Sequence, residues 1–299
     1  MAADRCCGWL LAQQSLFRLD APDPGQRVLG NDVPWRVKPI MELAFFLLIM
    51  IRQDVAFKSR RRLVEFVLEE ARRFDWHELA RFDPSSGSPL SLVADFFEVN
   101  GAPPPFEPAF FDMLIDFGFF DGMDRLPYRE LEFGYAIARL HKIDVMPELL
   151  EAFGRTAFGR QHSLPRYSLD DTYSLTHALF YVTDVGLRPA ASWAGKSDAL
   201  RLQKTLIALI TMMVRADHGD VLGELLICWI MCGFVATAAE QLVVDAGMNR
   251  MLSLIVPEGA VPPTTSVRNR LLEGRADFAE IYHTTLVASI LFRLAGAGR

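Results

Sequence analysis

The densest group of reactive side chains is the run Ser168-Leu169-Asp170-Asp171-Thr172-Tyr173-Ser174-Leu175-Thr176-His177-Ala178-Leu179-Phe180-Tyr181-Val182-Thr183-Asp184. It holds carboxylates, an imidazole and two phenols with no glycine or proline, so it reads as one helix. At about 100° per residue, Asp170, Tyr173, Ser174, His177, Tyr181 and Asp184 share one stripe, with Asp171 on its flank. A solvated helix face usually carries Lys, Glu, Arg and Gln. Two Tyr, a His and two Asp suit a cavity wall, where hydroxyls and an imidazole orient a small molecule. His177, between acids, is either held charged or acts as a base oriented by Asp170 or Asp184, with Tyr173 and Tyr181 shaping the pocket. Asp170 and Asp171 also stand where a helix N-terminus favours carboxylates, so capping competes with catalysis for at least one of them.

Three other acids and one histidine join the candidates. Asp217, Asp220, Glu224, Cys228, Met231 and Val235 fall on one stripe of a later, strongly apolar helix. Glu224 is either paired there or is a buried acid able to donate and accept protons. Glu42 is the one charge inside another apolar run, with Lys38 four residues earlier. His283 lies on an apolar stripe beside Tyr282, Thr284 and Thr285. The expected catalytic set is His177, Asp170, Asp171 and Glu224. The expected substrate-binding set is Tyr173, Tyr181, Asp184, Glu42, His283 and Asp220.

Cys6, Cys7, Cys228 and Cys232 show no zinc spacing and read as buried thiols of a reducing compartment, here the cytoplasm. No metal is expected. The chain has no Gly-rich phosphate loop, nucleophile elbow or dinucleotide fingerprint, so no nicotinamide, flavin or nucleotide cofactor is expected.

The elements that must carry these residues are helices. The 299 residues are 51% hydrophobic and 23% charged, which suffices for a large core. The net charge of −6, with a single short basic run at 58–62, disfavours nucleic acid as a partner. Residues 221–239 carry one charge, Glu224, but acids flank them and no Lys or Arg anchors them. They read as a core helix, with no membrane association. Strand alternation is nearly absent, and several helices begin just after a proline. Roughly a dozen helices are expected, at 38–54, 59–74, 90–99, 108–119, 127–143, 147–158, 170–184, 197–215, 217–236, 240–255 and 275–294, with a weaker one before residue 20. Apolar helices bearing one isolated acid or His alternate with charged ones. That predicts an all-α fold, an α/α toroid or related bundle of antiparallel helix pairs. Residues 1–34 read as an N-terminal segment, with a loop at Asp20–Gln26 and a helix start near Asn31-Asp32, and residues 35–299 as one helical domain.

Two resemblances add to this. Asp170-Asp171-Thr172 resembles the acid motif of class II terpene cyclases, Asp-x-Asp-Asp-Thr, which sits in an α/α barrel. Ser168 stands where that motif has its leading acid, so the proton donor of those cyclases has no counterpart here. More broadly, Lys38-x-x-x-Glu42-Leu43, the 170–184 run, Gly223-Glu224-Leu225-Leu226-x-Cys228 and Tyr282-His283-Thr284-Thr285-Leu286 resemble an all-helical family of actinobacterial proteins found in specialised-metabolite gene sets. That resemblance implies a natural-product enzyme over about residues 35–295. It also implies a small-molecule substrate, free or on a carrier protein, and a ring closure such as the aziridine or azabicycle formation of azinomycin-type pathways. The expected activity is a cofactor-independent, acid/base-assisted cyclisation or elimination. The alternative is a non-catalytic helical protein that binds a metabolite, a partner enzyme or a second copy of itself.

Overall fold

A computed structural model describes residues 2–19, 33–82, 84–121 and 124–297. The loop expected over residues 20–26 and the helix start near residues 31–32 lie outside them. Among the described residues there are fourteen α-helices, four short 3₁₀ turns and no strand. The helices are α1 (Ala2–Ala12), α2 (Val33–Arg52), α3 (Arg60–Arg73), α4 (Trp76–Phe82), α5 (Gly87–Val99), α6 (Pro108–Asp116) and α7 (Pro127–His141). They continue as α8 (Met146–Gly154), α9 (Leu169–Val182), α10 (Lys196–Arg215), α11 (Gly219–Met231), α12 (Ala238–Leu254), α13 (Thr265–Leu272) and α14 (Tyr282–Ala297).

The all-α class read from the sequence is the one observed, and the differences are local. The helix expected from Lys38 starts five residues earlier, so Pro39 lies inside α2 and removes one helical hydrogen bond rather than sitting in the first turn. The last helix starts at Tyr282 instead of residue 275, because Asp277 and Glu280 bond each other's backbone N–H in a turn ahead of it. The short helices α4 and α13 were not foreseen. Each has at most eight residues, too few to display an apolar period.

Neighbouring helices close a ring: α2 packs on α5, α5 on α7, α7 on α9, α9 on α11, α11 on α14, and α14 back on α2. Helices α1, α3, α8, α10 and α12 flank this ring. The ring members α2, α11 and α14 are apolar on nearly every side, which suits them to being covered nearly all round. Helix α11 has twelve of its thirteen residues buried. Among the described residues, no helix is long and apolar enough to cross a membrane.

Helix α1 packs against the other helices. Helix α1 lies on α14, with Cys6, Cys7 and Leu10 in the common core. Arg5 donates to the Val256 carbonyl at 2.6 Å, and Arg293 reaches Asp4 at 2.6 Å.

Candidate functional site

Four ring helices, α2, α9, α11 and α14, send polar side chains to one point. Glu42 comes from α2, Tyr173, Thr176 and His177 from α9, Asp220 and Glu224 from α11, and His283 and Thr284 from α14. Asp220 and Glu224 are one turn apart on the same face of α11. Asp220 lies in the first helical turn, where the backbone dipole favours a carboxylate.

The centre of the group is His283. Its Nδ1–H donates to Glu42 Oε2 at 3.0 Å. Its Nε2 lies 3.4 Å from Glu224 Oε1 and 3.6 Å from Asp220 Oδ1. The carboxylates also have hydroxyl partners: Tyr173 donates to Asp220 Oδ2, Thr284 to Asp220 Oδ1 at 2.9 Å, and Thr176 to Glu224 Oε2 at 2.5 Å. Glu224 is 2% exposed and Asp220 7%. Burial on this scale is tolerated only when a charge is compensated. Among the described residues no Lys or Arg pairs with either acid; their cationic neighbours are the imidazoles. Lys38 lies 3.7 Å from Glu42 at the exposed rim.

These contacts move protons predictably. Burial pulls the His283 pKa down, but the charges of Asp220 and Glu42 and hydrogen bonds to Glu224 and Glu42 overcome it and raise it well above the ordinary histidine value. Burial pushes Glu42 up, yet the His283 charge and hydrogen bond, with Lys38, hold it below the usual carboxylate range. Burial and the facing carboxylates push the Tyr173 and Tyr282 phenols far up, so both stay protonated donors.

His177 is set differently. Its Nδ1 lies 2.9 Å from the Tyr173 carbonyl, one turn back on α9. A carbonyl only accepts, so Nδ1 carries a proton, and in the neutral ring Nε2 is the nitrogen left to accept one. The ring is flanked by Tyr128 and Tyr173, each at 5.8 Å, and by Phe180 at 6.0 Å. Both imidazoles, 27% and 29% exposed, reach solvent while the acids behind them do not.

The structure therefore gathers six of the ten residues picked from the sequence: His177, Tyr173, Glu42, Asp220, Glu224 and His283. It separates the other four. Asp171 is the N3 residue of a capping box with Ser168, whose hydroxyl it engages at 2.8 Å, so its carboxylate is spent on the helix end. Asp170 is exposed in the same turn. Tyr181 is buried and packs on Tyr135 at 5.3 Å. Asp184 accepts from Tyr135 at 2.7 Å. The physical reason is length: the stripe from Asp170 to Asp184 runs about 20 Å along α9. The turn from Tyr173 to His177 is the part that reaches the α11 carboxylates.

Asp184 belongs to a second buried network, made by α2, α5, α7 and the end of α9. Arg52 donates to Tyr135 at 2.6 Å and pairs with Asp95. Tyr135, Asp95 and Asp184 line a cleft of about 580 Å³, with Arg139, Lys142 and Arg188 also on its wall. Arg52 is ten residues beyond Glu42 on α2, and Asp184 seven beyond His177. The two networks thus sit about 10–15 Å apart along the ring helices.

Three contributors were harder to see in the sequence. Thr176 falls on the apolar side of the helical wheel, yet its hydroxyl reaches Glu224 because α9 is covered on both sides. Thr284 and Tyr282 were visible only as polar neighbours of His283. Cys228 is fully buried, with its thiol 3.5 Å from the Thr176 carbonyl, and burial pushes its pKa well up, so it is packing and not a nucleophile. The one Glu-x-x-His spacing in the sequence, Glu280 to His283, is not a ligand pair, because Glu280 pairs with Arg270.

No curated protein and no solved structure matches the chain. A family model does match, over residues 3–292, and its description is a domain of unknown function, DUF6895. The chain belongs to that family.

Proposed function

We propose that this DUF6895 protein is an enzyme of specialised metabolism that closes a ring, or eliminates a leaving group, within one small molecule at the α2–α9–α11–α14 cluster. The observation that carries this reading is the His177 Nδ1–H held on the Tyr173 carbonyl, which in the neutral ring leaves Nε2 as the acceptor, on a half-buried imidazole whose Nδ1 lies 3.8 Å from Glu224. Ring closure asks for little more than alignment and removal of one proton. In aziridine or azabicycle formation the substrate amine attacks a carbon bearing a leaving group. The new C–N bond forms, the leaving group departs with the electron pair of the broken bond, and His177 Nε2 takes the amine proton. Tyr173 acts as a positioning residue, since its hydroxyl is committed to Asp220. The natural-product setting rests on the sequence resemblance described above.

The test is metabolite profiling of the host strain with the chromosomal gene replaced by His177→Ala. Loss of one small-molecule product, with a heavier precursor accumulating at unchanged protein level, supports the reading. An unchanged profile overturns it and leaves a binding role.

A further inference from the structure

We propose that Asp220, Glu224 and His283 form a binding site for one divalent first-row transition ion such as Mn²⁺ or Zn²⁺. The inference deepens the reading of the same cluster and depends on it only for location.

Three independent features support it. The first is spacing. One donor atom from each of Asp220, Glu224 and His283 lies within 4.8 Å of the others. His283 Nε2 stands 3.4 and 3.6 Å from the two carboxylates, beyond the usual length of a charge-assisted hydrogen bond, about 2.7–2.9 Å. Metal–ligand bonds of about 2.0–2.2 Å put tetrahedral ligands about 3.3–3.6 Å apart, so the imidazole already stands one polyhedron edge from each carboxylate. The second is orientation. The Nδ1–H of His283 is held by Glu42 at 3.0 Å, which leaves Nε2 as the nitrogen an ion would take by displacing its proton. A carboxylate behind a ligating imidazole is the usual outer-shell partner of such sites. Tyr173 and Thr176 hold the far oxygens of the two ligating carboxylates, and Thr284 donates to the Asp220 oxygen that faces His283. The third is charge. Glu42, Asp220 and Glu224 bring three carboxylates together, two of them deeply buried, with Lys38 only at the rim.

An imidazole with two carboxylates suits Mn²⁺, Fe²⁺ or Zn²⁺; Mg²⁺ and Ca²⁺ prefer oxygen alone. Three protein ligands leave coordination positions open, as catalytic sites do. The open side is the one where His283 and His177 reach solvent. An ion there would hold and polarise an oxygen of the substrate beside the His177 base.

The experiment is calorimetric titration of the chelator-treated full chain with Mn²⁺, Zn²⁺ and Mg²⁺. The expected result is one equivalent of Mn²⁺ or Zn²⁺ bound at micromolar or tighter Kd, with Mg²⁺ much weaker. His283→Gln and Asp220→Asn should each weaken binding at least 100-fold, and Glu42→Gln about 10-fold, on the scale of outer-shell losses. No binding up to millimolar ion overturns the proposal, as does binding that survives His283→Gln and Asp220→Asn. Should a variant not fold, pulsed electron paramagnetic resonance of Mn²⁺ on wild-type protein labelled with ¹⁵N-histidine decides. A coupled imidazole nitrogen supports the site and its absence overturns it. Titration needs no substrate, so a failure here is distinct from a failure of the His177→Ala profile.

Discussion

Gly223→Ala tests whether the close approach of α11 and α14 sets the spacing of the site. A Cβ at Gly223 would stand 2.5 Å from Val287 Cγ1 and 3.1 Å from Met251 Cε. Ordinary carbon contacts are about 3.5–4.0 Å, so at least about 1 Å of separation must open at that point. Met251 can yield through its flexible chain. Val287 cannot, because a valine in a helix is nearly confined to one χ1 rotamer, and so α14 must move. Glu224 is the next residue on α11, and His283 lies one turn before Val287 on α14. The 3.4 Å gap between them would therefore widen past about 4 Å. Overpacking of this kind costs about 1–3 kcal/mol, while replacing glycine by alanine inside a helix returns about 1 kcal/mol. Gly8→Ala supplies the control, since that exposed position on α1 has nothing within 4 Å and gains propensity alone. The difference between the two variants should be about 1–3 kcal/mol. With an unfolding entropy of about 2.1 cal/mol/K per residue, that is about 2–5 °C in Tm. Calorimetry reads the Tm, and Mn²⁺ titration should show at least a tenfold weaker Kd for Gly223→Ala only. Equal Tm changes and equal affinities for both variants would refute the reasoning.

The second network gives a contrasting outcome. Tyr135→Phe removes a hydroxyl that links Arg52 to Asp184, and should lower stability by about 1–3 kcal/mol in chemical denaturation while leaving cation affinity unchanged. Asp217 predicts an acid dependence. Burial pushes its carboxyl up, but the Thr265 N–H and hydroxyl and the Arg250 guanidinium outweigh that and hold it below the usual range. A depressed folded-state pKa stabilises the fold above the unfolded value, near 3.9, and that contribution is lost as pH falls through the folded value. The Tm difference between wild type and Asp217→Asn should thus be present at pH 6 and shrink below about pH 4.

Much of the fold was legible because apolar periodicity is a local signal. The isolated acid or His in each of α2, α9, α11 and α14 marked the inner helices before any contact was known. Glu42, Glu224 and His283 read as oddities singly, and as a site only once the ring brought them together. What stayed hidden was depth along α9. A helical wheel superposes residues that lie up to about 20 Å apart, so Asp170, Tyr181 and Asp184 joined the stripe without joining the cluster. The capping role of Asp171 was foreseeable from Ser168 three residues earlier, which is the capping-box spacing. Metal-ligand spacing gave no warning because the proposed donors come from two helices 59 residues apart, between Glu224 and His283.

The most direct measurement is anomalous diffraction at the manganese edge from crystals of the full chain grown with Mn²⁺. The account predicts one strong peak about 2.0–2.2 Å from His283 Nε2 and from carboxylate oxygens of Asp220 and Glu224. Peaks confined to exposed acids, with none among these three residues, would contradict it.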